Sequence, residues 1–320
     1  MSIRFIILSH IFLPLMFSCS GQEEPMTNSS GQSEENIPAG ISRVAFTGGP
    51  QSQCVYIFRK DGNDFRYHSM INSGWSADGK MTARLLTGDY KFLFTGPLDG
   101  QTDVLPSALT SSVTPEQLHF AAKADDVHAN YILPAGELFL PEPDVADLVY
   151  TIRGNDEIEC TLKRRVSQLE FVLRRGYKEE GKYVAQPYNN GHDVLEKIKE
   201  LQVEIVGVAR YCNFQSTFGK GDIFCTYLAS ECENIDEQGF ATFTGPFVFP
   251  PAGDAEVTLN ITPISSSGVP SQTLTLPGKL EANRKLEVNL WFNPSYYDIG
   301  VTIRNRPITQ QTDGDTGIWE

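Results

Sequence analysis

Apolar and polar residues alternate with a period of two along most of the chain, the spacing of half-buried β-strands. Cys54, Tyr56 and Phe58 fall on one face of a segment whose other face carries Val55 and Ile57. Tyr90, Phe92 and Phe94 form a second such face. The pattern returns at Leu169, Phe171 and Leu173, at Leu201, Val203 and Ile205, and at Phe247 and Phe249. It continues through Val257, Leu259 and Ile261, then Leu274 and Leu276, then Leu286, Val288 and Leu290, and finally Ile299, Val301 and Ile303. Turn-forming clusters punctuate these runs: Lys60-Asp61-Gly62-Asn63, Gly74, Asp78-Gly79, Leu98-Asp99-Gly100, Pro250-Pro251-Ala252-Gly253 and Pro277-Gly278.

Helical signal is sparse. Asp193 to Glu200 places Val194, Leu195 and Ile198 on one stripe, with Asp193 as a cap. Pro115-Glu116-Gln117-Leu118 opens a single turn. The expectation is an all-β fold of sandwiches with one or two short helices. A division is expected at Arg153-Gly154-Asn155-Asp156, after Pro-rich acidic sequence and before a long strand from Thr161 to Arg174. That gives an N-terminal sandwich over 41–154 and a C-terminal one over 155–320.

The first forty residues read as an address. Arg4 precedes an apolar run from Phe5 to Phe17, interrupted by Ser9, His10 and Pro14. The run is shorter than the ~20 apolar residues of a spanning helix and matches a signal peptide over residues 1–18. Met16-Phe17-Ser18-Cys19 resembles the lipobox of bacterial lipoproteins, in which the chain is cut before the cysteine and its thiol is acylated. Leu15 stands one place earlier than the usual leucine. Residues 19–40 carry Glu23, Glu24, Glu34 and Glu35 and no cation, with Met26 and Ile37 as the only sizeable apolar residues. Such a stretch reads as a flexible acidic tether. Acidic residues just past an acylated cysteine resemble a surface-export signal of Bacteroidales lipoproteins.

Composition narrows the function. Over 320 residues, 26 Lys and Arg against 40 Asp and Glu give a net charge of −14, so nucleic acid is not an expected partner. Setting Cys19 aside leaves Cys54, Cys160, Cys212, Cys225 and Cys232. Five thiols cannot all pair, and one bridge fits within the stretch holding Cys212, Cys225 and Cys232. No C-x-x-C, phosphate-binding loop, G-x-S-x-G or His pair at metal spacing occurs, so no catalytic residue, metal or cofactor is expected. Lys163-Arg164-Arg165 reads as the solvated side of a strand rather than an anion site. Trp75, Trp291 and Trp319 read as core or edge aromatics, with a sugar platform as the other reading.

Several segments in order resemble the Bacteroidales fimbrillins, the lipoprotein subunits of type V pili. After the lipobox and tether come Cys54-Val55-Tyr56-Ile57-Phe58-Arg59-Lys60-Asp61-Gly62 and Leu86-Thr87-Gly88-Asp89-Tyr90-Lys91-Phe92. Then follow Leu162-Lys163-Arg164-Arg165-Val166-Ser167-Gln168-Leu169-Glu170-Phe171 and Asn283-Arg284-Lys285-Leu286-Glu287-Val288-Asn289-Leu290.

The resemblance implies two transthyretin-like Greek-key sandwiches and no enzyme activity. It implies a structural subunit of surface fimbriae, held at the outer membrane through acylated Cys19 and partnered by other fimbrial subunits or by copies of itself. In stalk subunits of this family an Arg-specific protease removes the N-terminal segment and a strand from the next subunit fills the groove. Arg43-Val44 sits where that cut would fall, and an ordinary strand-margin arginine is the other reading. Ile299, Val301 and Ile303, with the tail to Trp319, read as the donor strand or as the last strand of the second sandwich. A host or bacterial surface ligand is a further expected partner, and the alternative function is a surface glycan-binding lipoprotein.

Overall fold

The computed structural model describes residues 40–48, 52–186, 198–215, 217–219, 223–229, 234–235, 239–265, 273–293 and 299–308. Two β-sandwiches account for most of them. In the first, a sheet ordered β11 (Asn155–Glu159), β1 (Ile41–Thr47) and β4 (Lys80–Leu86) faces a second sheet. That second sheet is ordered β10 (Tyr150–Ile152), β5 (Gly88–Thr95), β2 (Cys54–Asp61) and β3 (Asp64–Ile71). The core between them holds Val44, Phe46, Val55, Ile57, Tyr90, Phe92 and Phe94. Phe46 meets Phe92 and Phe94 edge-on at 5.0 and 5.7 Å between ring centres. Gly62, at φ 62°, makes the β2–β3 turn that an L side chain would strain.

The second sandwich packs two larger sheets. One is ordered β18 (Asn234–Ile235), β19 (Ala241–Val248), β13 (Ser167–Glu179), β22 (Arg284–Phe292) and β23 (Ile299–Pro307), with β14 (Lys182–Ala185) on the end of β13. The other is ordered β21 (Leu274–Gly278), β20 (Val257–Ser265), β15 (Ile198–Val208), β17 (Ile223–Ala229) and β8 (Tyr131–Ile132). Leu169, Phe171 and Leu173 of β13 and Leu286, Val288 and Leu290 of β22 meet Leu201, Val203 and Ile205 of β15 and Val257, Leu259 and Ile261 of β20. These are the faces that the alternation marks.

Smaller pieces join the two. A three-stranded sheet is ordered β16 (Tyr211–Asn213), β7 (His119–Ala122) and β6 (Thr102–Leu105). A two-stranded ladder pairs β9 (Phe139–Pro141) with β12 (Leu162–Arg164). A 3-10 turn at Pro115–Gln117 and a one-turn helix α1 (Pro143–Ala146) are the helical elements among the described residues.

β2 departs from simple alternation. Its run Cys54–Phe58 is buried on both faces. Val55 and Ile57 enter the first core, whereas Cys54, Tyr56 and Phe58 enter the second. Tyr56 meets Phe120 of β7 and Phe214, each at 6.4 Å, and those two rings lie 5.3 Å apart. A five-residue apolar run has no polar side to give to water, so both sides are covered.

Three expectations need correction. The chain does not change sandwiches between 154 and 155: β11 lies past that point and runs parallel to β1, while β8 lies before it and pairs with β17. The helix placed at 193–200 gives way at its end to β15, which begins at Ile198, where an irregularity between Ile198 and Glu200 brings Ile198 onto the same buried face as Leu201, Val203 and Ile205; residues 193–197 lie outside the described ones. Cys212 and Cys225 are free thiols buried on separate strands, β16 and β17, so no bridge joins them; Cys232 lies outside the described residues.

Candidate functional site

The candidate cleavage residues, Arg43 and Val44, lie on β1, and the candidate donor residues, Ile299, Val301 and Ile303, lie on β23. β1 is the middle strand of its sheet. Arg43 pairs with Asn155 on one side and Arg84 on the other, and Val44 with Asp156 and Ala83. Val44 is fully buried, and Arg43 points outward and is exposed. The Arg43–Val44 peptide thus lies inside a ladder hydrogen-bonded on both edges. A protease that reads an extended segment in its own cleft cannot reach this bond until β1 leaves the sheet. Arg43 is also the only basic residue between Cys19 and Arg59. A cut there would free Ile41–Arg43 and leave Val44–Thr47 in place, so no full strand position would open.

β23 is an edge strand paired with β22 along its whole length, from Phe292 opposite Ile299 to Arg284 opposite Pro307. Ile299 and Val301 rest against the second core, and Ile303 is partly exposed. The candidate donor residues therefore lie in the chain's own sandwich. Arg306 reaches Glu287, which is buried, at 2.9 Å. Arg304 and Pro307 also lie on this strand, and charges and proline are common guards of a sheet edge.

Of the basic cluster at 163–165, Lys163 is solvated as expected, but the two arginines are not. Arg164 and Arg165 are both buried. Arg164 donates from Nε and Nη2 to Glu137 Oε1, at 3.1 and 2.6 Å, and its guanidinium lies 5.0 Å from the centre of the Phe139 ring. Arg165 donates to Glu142 at 3.1 Å and to the carbonyl of Pro141. Lys163 also pairs with Glu142, and the two cations, Lys163 foremost, hold that carboxyl below its ordinary pKa. The cluster ties the β9–β12 ladder to the second sandwich. Its sequence signal was three cations beside an apolar strand start, which does not distinguish a buried pair from a wet one.

Trp75 and Trp291 both pack on other rings rather than forming an open platform. Trp75 packs on Phe94 at 6.3 Å, and its indole nitrogen is buried with no hydrogen-bond partner among the described residues. Trp291 stacks on Tyr183 at 5.4 Å and carries the Arg174 guanidinium 5.3 Å from its ring centre. Burial pushes the thiols of Cys160, Cys212 and Cys225 up to about 12 and that of Cys54 up to about 11, so none is a nucleophile at neutral pH. Among the described residues no group of His, Cys, Asp and Glu is arranged to hold a metal, and no helix is long and apolar enough to cross a membrane. Cys19 and Trp319 lie outside the described residues.

Residues 45–310 match the family of fimbrillin-A associated anchor proteins Mfa1 and Mfa2. The chain belongs to this family. Its membership makes it a fimbrial structural protein with a role in adhesion and not an enzyme, associated with other fimbrial subunits at the cell surface. Solved structures share the fold of this fimbrial family member. A Bacteroides thetaiotaomicron protein provisionally named for polysaccharide binding aligns with a TM-score of 0.54 at 11% identity, over 84% of this chain and 99% of that one. An adhesin candidate from Bacteroides ovatus aligns with a TM-score of 0.52 at 13% identity, over 87% and 99%. Another from Bacteroides thetaiotaomicron aligns with a TM-score of 0.52 at 11% identity, over 86% and 100%. No curated protein matches the chain by sequence.

Proposed function

We propose that this chain is the membrane-held terminal subunit of a fimbria. It is exported as a lipoprotein, acylated at Cys19 and kept at the outer membrane by the tether of residues 19–40. The observation that carries this reading is the placement of Arg43-Val44 in the middle strand of a sheet, paired on both sides. With β1 retained, the first sandwich is complete and accepts no donor strand. The chain then joins its neighbour as a donor. The stretch from Ile299, with Val301 and Ile303, exchanges its pairing with β22 for pairing in the neighbouring subunit, where ladder bonds give affinity and alternate side chains give register.

The anchoring half is tested by Cys19→Ala in cells that make the fimbria. The expected result is release of the subunit from the membrane fraction and shedding of fimbriae into the medium. Unchanged membrane retention would overturn lipid anchoring through Cys19.

A further inference from the structure

The outer face of the β21-β20-β15-β17-β8 sheet has an unusual chemistry for this acidic chain. Inward positions of these strands fill the second core, so the alternate positions form one surface. Strand pairing sets them in four rows. The middle row runs Thr226, Glu204, Asn260, Thr275. One flanking row runs Leu228, Gln202, Thr262, with Glu200 opposite Ile264 beyond it, and the other Tyr131, Phe224, Val206, Thr258, Pro277. Thr273 adds a fifth threonine beside Thr262, at 2.8 Å between hydroxyls. The charges in these rows are two carboxylates, Glu204 and Glu200, in a chain with 66 charged side chains from 26 basic and 40 acidic residues.

The middle row is prearranged. Tyr131 donates its hydroxyl to Glu204 Oε1 at 2.7 Å. Asn260 Nδ2 donates to Glu204 Oε2 at 2.8 Å, and Thr275 donates to Asn260 Oδ1 at 2.9 Å. Each carboxylate oxygen keeps a further acceptor site, and each threonine hydroxyl can both give and accept. Tyr131 stacks on Phe224 at 4.9 Å, leaving an aromatic margin on the same face.

We infer that this sheet face binds a neutral polysaccharide. A sugar chain offers hydroxyls that donate to Glu204 and exchange bonds with the threonines and amides, and C–H faces that rest on Tyr131 and Phe224. The absence of any cation in these rows disfavours phosphate, sulfate and uronate ligands. The apolar residues are split by the polar middle row, unlike the apolar centre of a protein–protein interface. Five strands about 4.8 Å apart give a face about 19 Å across, wide enough for an extended chain rather than a single sugar.

This inference rests on the fimbrial reading for its setting, but its test is separate. Affinity electrophoresis of the full chain is run in gels holding mannan, laminarin, xylan or dextran, with heparin as the anionic comparison. Retention by at least one neutral polysaccharide, and none by heparin, is expected. The Thr226→Val, Thr258→Val, Thr275→Val variant removes three hydroxyls while keeping strand-forming side chains, and should weaken retention at least tenfold with an unchanged melting temperature. Thr242→Val, Thr302→Val on the other sheet should retain like the parent. Thr275→Lys, at an exposed position, gives a second variant that should also lose retention. No retention by any of the four neutral gels, or equal retention of parent and both outer-face variants, would overturn the inference. The outer-face variants should still hold fimbriae at the membrane, and Cys19→Ala should still bind polysaccharide, so the two readings fail independently.

Discussion

Arg43 on β1 stands directly opposite Arg84 on β4. Like charges facing across an antiparallel pair weaken it, and Arg43 is the residue on which processing by an Arg-specific protease would depend. Arg43→Glu therefore separates two roles. Arg84 has a partner of its own and exposed Glu157 of β11 lies diagonal to Arg43, so in the retained-anchor account this surface change alters stability by no more than about 0.5 kcal/mol. Urea unfolding should stay near the parental midpoint, with fimbrial anchoring unaffected. Loss of assembly in this variant would mean that the arginine is cut.

The buried Arg164 makes a different demand. Arg164→Ala removes two hydrogen bonds to Glu137 and the packing on Phe139. Glu137 is partly exposed and can rehydrate, so the loss should be nearer about 2–3 kcal/mol than the full cost of an uncompensated buried charge. Lys163→Ala, at an exposed side chain next to it, should change stability by no more than about 0.5 kcal/mol. Equal effects of the two substitutions in urea titrations would contradict the buried role of Arg164.

The free thiols predict an alkaline limit. Cys160, Cys212 and Cys225 have folded pKa values raised from 9.0 to about 12 by burial. Their neutral form is favoured in the fold, so their contribution is complete below the unfolded value near 9 and is lost as pH climbs from there toward 12. Unfolding free energy should fall over that window with a limiting slope of about 1.4 kcal/mol per pH unit for each thiol. Cys212→Ala, Cys225→Ala should flatten the slope, and reductant at neutral pH should leave the melting temperature of a Cys232→Ser chain unchanged. A melting temperature that drops with reductant in that chain would bring back a disulfide.

Much of this architecture is legible in the sequence, and the exceptions have physical causes. Strands such as Leu286-Glu287-Val288-Asn289-Leu290 carry their inward face in a period of two, and the structure buries those leucines and Val288. The pattern is blind to what lies on the second face. Glu287 and Asn289 are buried too, held by Arg306 and Arg174, and no local signal announces that. Pairing partners are equally hidden. Asn155–Glu159 returns to lie beside β1 although more than a hundred residues separate them, and that long-range choice misplaced the expected boundary. The tryptophans were readable only as aromatic; burial of the Trp75 indole nitrogen and the stacking of Trp291 on Tyr183 belong to tertiary structure.

β23 offers a further check. Deleting 299–320 would expose the edge of β22 and remove Ile299 and Val301 from the core they cover. It would also leave buried Glu287 without Arg306. The truncated chain should melt lower and aggregate, by light scattering, as well as fail to join its neighbour. A truncated chain with parental melting that merely fails to assemble would show that this strand serves the partner alone.

The central claim is that β1 stays whole and the lipid stays attached. Mass spectrometry of the native N-terminus, on protein extracted from the outer membrane, tests it most directly. The expected result is a chain that begins at an acylated Cys19 and runs unbroken through Arg43-Val44. A mature chain beginning with a free amine at Val44 would contradict it.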